Sequence, residues 1–131
     1  MSKKLLIVTG PQGSGNHLFA RLLSQHPMVK GWTALNDKYW VPSDEEPFAR
    51  YWVYPDELEF PEGDFFCTNV SVPFFYDGVR RTPKIREVAY RAVTMGIEPI
   101  IAVVCRDRNI NELQQKRVGG EVTMDLSLIH I

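Results

Sequence analysis

An apolar run followed at once by a glycine loop and an amphipathic segment is the feature that most constrains the fold. Residues 3–9 read Lys-Lys-Leu-Leu-Ile-Val-Thr, the pattern of a buried strand, and residues 10–15 read Gly-Pro-Gln-Gly-Ser-Gly. Apolar residues then recur at helical spacing over residues 16–25, and Pro27 closes the segment because the residue before a proline avoids the helical region. The sequence therefore predicts a strand, a tight turn and a helix in immediate succession.

Strands and helices are expected to alternate along the rest of the chain. Residues 65–72 and 100–105 are apolar, strand-like runs, and residues 73–83 are expected to form a loop. Residues 85–93 carry one apolar helical face and are followed by Gly96, which stands where a helix C-terminal cap belongs. This alternation predicts βαβ units and an α/β domain with a parallel sheet flanked by helices.

The whole chain contains fewer predicted strands than such a sheet needs. Asn109 and Glu112 form the capping-box pattern of a further helix, but the strands number only about three, whereas a doubly wound sheet has about five or six. Residues 126–131 read Leu-Ser-Leu-Ile-His-Ile, which resembles one reading frame of the transposon end used in sequencing adaptors; a short native strand is the alternative. We expect residues 1–125 to form a single domain that is incomplete at its C-terminus, followed by a non-native tail.

Residues 40–64 interrupt the regular pattern. Prolines alternate there with aromatic and acidic residues. The segment has too many rings for a disordered linker, so we expect it to fold over the body of the domain. Cover for the core is the preferred interpretation, and a lid or substrate wall is the alternative.

Composition excludes several classes of partner. Fifteen Lys and Arg stand against 16 Asp and Glu, giving a net charge of −1, so a broad basic face for nucleic acid is not expected. The longest apolar run has about six residues, against roughly 20 for a membrane span, and no signal peptide precedes the first strand. We expect a cytoplasmic protein with neither a nucleic-acid nor a membrane partner; its oligomeric state stays open. Cys67 and Cys105 fall in apolar runs, so neither a disulfide nor a zinc framework is expected.

The glycine loop carries the strongest chemical signal. Backbone N–H groups of Gly13, Ser14, Gly15 and Asn16 can converge there at the positive end of the helix, which favours a bound oxyanion. A loop that only makes a tight strand-to-helix turn is the alternative. We therefore predict a phosphate-binding site.

Neither common nucleotide motif is complete. The spacing of Gly10 and Gly15 fits a Walker A loop, but Asn16 stands at the lysine position and His17 at that of the magnesium-binding hydroxyl. Leu18 occupies the place of the third glycine of a dinucleotide fingerprint. An ordinary ATPase, kinase or dehydrogenase is therefore disfavoured.

Two segments resemble sulfotransferases, in the order in which that family has them. Residues 13–27, Gly-Ser-Gly-Asn-His-Leu-Phe-Ala-Arg-Leu-Leu-Ser-Gln-His-Pro, are similar to its 5′-phosphosulfate-binding segment. Residues 101–109, Ile-Ala-Val-Val-Cys-Arg-Asp-Arg-Asn, are similar to its apolar strand ending in Arg-Asp-Pro-Arg-Asp. The resemblance implies a P-loop-like α/β fold that binds 3′-phosphoadenosine 5′-phosphosulfate without a metal. It also implies transfer of the sulfuryl group to a hydroxyl or amine of a small molecule or sugar.

The resemblance also implies roles for single residues. Arg106 would hold the 3′-phosphate, and Gln114 falls where the family has a serine as second ligand of that phosphate. The donor's 5′ side would be held by the loop and helix start, residues Gly13, Ser14, Gly15, Asn16 and His17. His17 can donate to a phosphate or act as general base toward the acceptor, unless a carboxylate beyond the present sequence does so.

The sequence departs from that family at several of these positions. Gly13 replaces a basic residue, Asn16 and His17 replace two threonines, and Ser71 stands where a His-x-Pro motif has its base. These departures leave two alternatives open. One is a lysine-less P-loop protein that binds nucleotides or resembles a kinase, and the other is a non-catalytic phosphate-binding module.

Overall fold

Four parallel strands form the centre of the computed structural model, which describes residues 2–12, 15–35 and 41–105. The regular elements of these ranges are β1 (Lys3–Gly10), α1 (Asn16–Leu23), β2 (Val29–Lys30), β3 (Phe65–Ser71), β4 (Phe74–Tyr76), β5 (Val79–Arg81), α2 (Ile85–Thr94) and β6 (Ile97–Val103). The main sheet has the order β2-β3-β1-β6, and each neighbouring pair is parallel. The predicted parallel α/β arrangement is therefore present.

The two helices cover opposite faces of the sheet. Successive side chains of a strand point to opposite faces, so β1 contributes to two separate cores. On one face Leu5 packs with Phe66 and with Val88 of α2. On the other face Val8 packs with Ala20 of α1. Because both faces are covered, β1 and β3 read as nearly continuous apolar runs.

Most of residues 41–64 pack over the α2 face. They contain three short 3₁₀ turns, at Ser43–Glu45, Ala49–Trp52 and Pro55–Glu57. Trp52 and Leu58 are buried in the core that Leu5 and Val88 share, and aromatic rings of the same segment pack around them. Most of the apolar residues of the segment thereby cover the α2 face, whereas Val41 packs in the core on the α1 face.

Helix α1 buries its small and polar side. Asn16 and Ala20 face the sheet and are almost completely buried. Its large apolar side chains lie on the other side of the helix. In the described part of the chain they are between 45% and 57% exposed: Leu18, Phe19, Leu22 and Leu23. The apolar periodicity thus predicts the helix correctly, but its contact with the sheet is made by the opposite side.

The segment between β3 and α2 is not the predicted loop. Residues 74–81 form a β-hairpin in which Phe74 pairs with Arg81. The turn contains Asp77 (φ 53°) and Gly78 (φ 71°), an Asp-Gly pair typical of a two-residue hairpin turn. β6 also begins at Ile97, three residues before the predicted start. The cap at Gly96 is confirmed: Gly96 follows Met95 after the end of α2, has φ +77°, and its N–H donates to the Val93 carbonyl at 3.0 Å.

The two cysteines are free thiols in different surroundings. Cys67 is buried in β3. Burial raises its pKa to about 11. Cys105 is exposed. Only Cys105 is therefore accessible to thiol reagents in the folded protein.

Several predictions concern other parts of the chain. The helix expected after Asn109 and the tail 126–131 lie outside the described residues. Within the described ranges, no helix has the length and apolar character required to cross a bilayer.

Candidate functional site

A crevice is expected where the chain leaves β1 and β3 in opposite directions. Gly10, at the carboxyl end of β1, lies opposite Ser71, at the end of β3. After β1 the chain passes through α1 to β2, which lies next to β3 at one edge of the sheet. After β3 it passes in the other direction, through α2 to β6, which lies next to β1 at the opposite edge. Ligands of parallel α/β sheets bind at such a divergence, outside the carboxyl ends of the strands.

The start of α1 is fixed to β3 at this edge. Gly15 caps the helix in the left-handed conformation, with φ 93° and ψ 11°. Asn16, 3% exposed, donates from Nδ2 to Ser71 Oγ at 3.2 Å. Its Oδ1 accepts from Asn69 Nδ2, also at 3.2 Å. The first turn of α1, with its N–H groups and positive dipole end, is thereby held beside the end of β3.

Asn69 is the centre of a buried polar network. It is 2% exposed and lies in the middle of β3, next to the buried Thr68. Its Oδ1 accepts from Trp32 Nε1 at 2.9 Å, and its Nδ2 contacts both Asn16 Oδ1 and Glu46 Oε2, the latter at 3.4 Å. An indole nitrogen only donates, so this contact fixes which end of the Asn69 amide is the oxygen. The donor end must then point to Asn16 and Glu46.

His17 contacts a carboxylate from residues 41–64, the covering segment. Its Nδ1 lies 3.1 Å from Glu46 Oε1, and the two side chains are 31% and 14% exposed. Burial raises the pKa of Glu46 above its ordinary value of 4.5, while the hydrogen bond and charge of His17 and the hydrogen bond from Asn69 partly oppose this rise. A histidine and a nearly buried acid therefore lie together at the start of α1.

The ring of Trp32 packs against His17. Trp32 is fully buried, and the centre of its ring lies 4.4 Å from that of His17, at an interplanar angle of 51°. The guanidinium of Arg21 lies 5.6 Å from the centre of the Trp32 ring. The imidazole is thus held by packing on one side and by Glu46 on another.

The structure brings together some of the predicted residues and adds others. Gly15, Asn16 and His17 lie at the carboxyl edge of the sheet, next to Ser71. Sequence reasoning missed three residues of the network: Trp32, Glu46 and Asn69. Gly13, Ser14, Arg106 and Gln114 lie outside the described residues.

Asn69 was the one missed residue with a usable signal, since an amide inside a predicted buried strand needs a hydrogen-bond partner. In the described ranges, no three His, Cys, Asp or Glu side chains group closely enough to hold a metal ion.

The raised pKa of Glu46 predicts a pH dependence of stability. A carboxyl group with a higher pKa in the folded chain binds more protons when folded, so its contribution to the free energy of unfolding falls as pH rises above 4.5. The advantage in stability of Glu46→Gln over the wild type should therefore grow between pH 4.5 and about pH 7. Urea unfolding of both proteins measures it, with Glu45→Gln as control for net charge. The opposite trend would mean that His17 and Asn69 outweigh burial.

Comparisons with models of protein families, with curated proteins and with solved structures found no match to this chain.

Proposed function

We propose that the chain is a sulfotransferase-like protein with a P-loop-like nucleotide site. It binds 3′-phosphoadenosine 5′-phosphosulfate and transfers the sulfuryl group to a hydroxyl or amine of a small molecule or sugar, in the cytoplasm. The observation that carries the proposal is the left-handed Gly15 at the start of α1, beside the carboxyl ends of β1 and β3. An oxyanion is favoured at such a helix start even without a lysine, because backbone N–H groups and the helix dipole supply the positive charge.

The path of the chain after β6 supports a role for Arg106. Val103 lies opposite Thr9, and the Val104 N–H donates to the Thr9 carbonyl at 2.8 Å. The chain therefore leaves β6 at the edge where the glycine loop begins. Arg106 follows two residues later, and the resemblance assigns it the 3′-phosphate.

In this proposal the chemistry relies on positioning and charge. The loop N–H groups hold the 5′ side of the donor, where negative charge grows as the sulfuryl group leaves. The acceptor's proton passes to His17, which lies in the first turn of α1. No metal is required for these steps.

A four-affinity experiment tests the nucleotide assignment. Adenosine 3′,5′-bisphosphate and AMP differ by one 3′-phosphate, so titrating both against the wild type and Arg106→Ala isolates the contact of Arg106 with that phosphate. We expect the substitution to weaken the bisphosphate by about 1.5–3 kcal/mol, the scale of a charged hydrogen bond, and to leave AMP nearly unchanged.

The two alternatives give different results in the same calorimetric titrations. A lysine-less P-loop or kinase-like protein would bind ATP and would treat the bisphosphate and AMP alike. A non-catalytic phosphate module would bind inorganic phosphate without discriminating among nucleotides. A coupling energy near zero between Arg106 and the 3′-phosphate would overturn the sulfotransferase assignment of this residue.

A further inference from the structure

Glu46 differs from the acids that precede it in the chain. Asp44 and Glu45 are exposed, whereas the Glu46 side chain is 14% exposed and turned toward the start of α1. Burial of a carboxylate is costly unless hydrogen-bonding partners replace water. Glu46 has two such partners in the described ranges, His17 at Oε1 and Asn69 at Oε2.

The network determines which nitrogen of His17 carries the proton. Trp32 fixes the orientation of the Asn69 amide, and the amide then donates to Glu46 Oε2. An ionised carboxylate only accepts, so the nitrogen at 3.1 Å from Oε1, Nδ1 of His17, must be the protonated one. A neutral imidazole protonated at Nδ1 has its lone pair at Nε2.

We infer that Glu46 is a positioning residue that holds His17 as a proton acceptor, with Nδ1–H donated to the carboxylate and Nε2 presented to a hydroxyl group. Within the described part of the chain, the Trp32 ring also packs against the imidazole, and the Arg21 guanidinium lies beyond that ring. The inference makes the covering segment part of the site, because Glu46 comes from that segment. It rests on the proposed function only for the identity of the hydroxyl group.

The proton transfer completes the proposed reaction. The acceptor oxygen forms the new bond to sulfur, and the bond between sulfur and the oxygen of the 5′-phosphate breaks, with its electrons leaving on that oxygen. The hydroxyl proton passes to His17 Nε2. The Glu46 carboxylate then stabilises the imidazolium, as an acid does when it holds the other nitrogen of a catalytic histidine.

Acylation by diethyl pyrocarbonate tests the pair without any substrate. The reagent reacts with neutral imidazole, so the rate at high pH, followed at His17 by peptide mass spectrometry, measures the nucleophilicity of the ring. We expect this limiting rate to fall about tenfold in Glu46→Gln, which keeps the side-chain volume and an acceptor for Asn69. His26, which is exposed, serves as the internal reference, and Glu45→Gln as the matched control.

Glu46→Ala separates positioning from simple cover. If Glu46 only shielded His17, removal of its carboxyl end would expose the ring and raise the acylation rate. Positioning predicts the opposite, a lower rate, together with a shift of the His17 ¹⁵N signals from the Nδ1–H toward the Nε2–H tautomer. An unchanged or higher rate at His17 in both folded variants, with an unchanged tautomer, would overturn the inference.

The result can be separated from that of the proposed function. Bisphosphate binding is measured on the wild type in its own titration. A loss of His17 reactivity in Glu46→Gln without any nucleotide binding would retain the pair and reject sulfuryl transfer. Nucleotide binding with unaltered His17 reactivity would retain the nucleotide site and reject the pair.

Discussion

Gly15→Val should abolish measurable binding of adenosine 3′,5′-bisphosphate while the domain stays folded. Gly15 has φ +93°, which a β-branched residue rarely adopts. Among the described residues, a Cβ there would meet only the Phe19 ring, at 3.8 Å, so the expected effect comes from backbone strain and not from a clash. In the proposed site, relief of that strain would turn the N–H groups at the start of α1 away from the bound oxyanion. Each lost charged hydrogen bond costs about 1.5–3 kcal/mol, or about 10- to 150-fold in affinity.

Gly96→Val is the matched control for Gly15→Val. Gly96 also lies at a helix end with a left-handed backbone, φ +77°, and a Cβ there would meet no atom of the described residues within 4 Å. It precedes β6, so it lies at the amino edge of the sheet, away from the proposed site. Both variants should lose about 1–2 kcal/mol of stability to the same strain in urea unfolding. Only Gly15→Val should lose the nucleotide in calorimetry, and equal affinities in wild type and Gly15→Val would exclude the phosphate site.

The parts of the fold that local patterns encode were predictable. β1 and β3 have sheet neighbours on both sides and helices on both faces, so their apolar runs are long enough to recognise. Gly96 could be predicted as a cap because a glycine just after an apolar helical face is commonly the left-handed residue that ends the helix. The starts of α1 and α2 followed from the same periodicity.

The hairpin and the start of β6 were missed for different reasons. Asp77 and Gly78 are a recognisable hairpin turn, but the flanking prolines and the arginine pair at 80 and 81 are typical of a loop. The start of β6 was missed because of Pro99. This proline lies inside β6, although a proline in a sequence usually argues against the interior of a strand. In the described sheet β6 is an edge strand that pairs only with β1. Proline lacks a backbone N–H, and on the outer side of β6 no neighbouring strand needs that hydrogen bond.

Most of the polar network could not be read from the sequence. His17 and Glu46 are 29 residues apart, and Asn16 and Asn69 are 53 apart. Local periodicity reports which face of an element is apolar, and it contains no information on which distant side chains meet there. Glu46 stood among several acids in residues 40–64 and differed from them only through its burial.

Trp32→Ala is expected to lower the free energy of unfolding by about 3–5 kcal/mol, a large part of the roughly 5–15 kcal/mol available to a small domain. Trp32 is fully buried, packs in the core under α1 and donates to Asn69. Its loss removes the apolar contacts, opens a cavity and leaves the Asn69 oxygen without its donor. Urea unfolding measures the sum of these effects, and a loss below about 1 kcal/mol would contradict the burial of Trp32.

Substitution by phenylalanine separates the hydrogen bond from the packing, because the chain has a second buried indole for comparison. Trp52 is 1% exposed, and its Nε1 has no hydrogen-bond partner among the described residues. Trp32→Phe and Trp52→Phe remove similar apolar area, but only the first leaves a buried acceptor, Asn69 Oδ1, unpaired. Trp32→Phe should therefore be the more destabilising by about 1–3 kcal/mol, the cost of an unsatisfied buried polar group. Equal losses in the two variants would mean that the contact between Trp32 and Asn69 contributes nothing to the stability of the site.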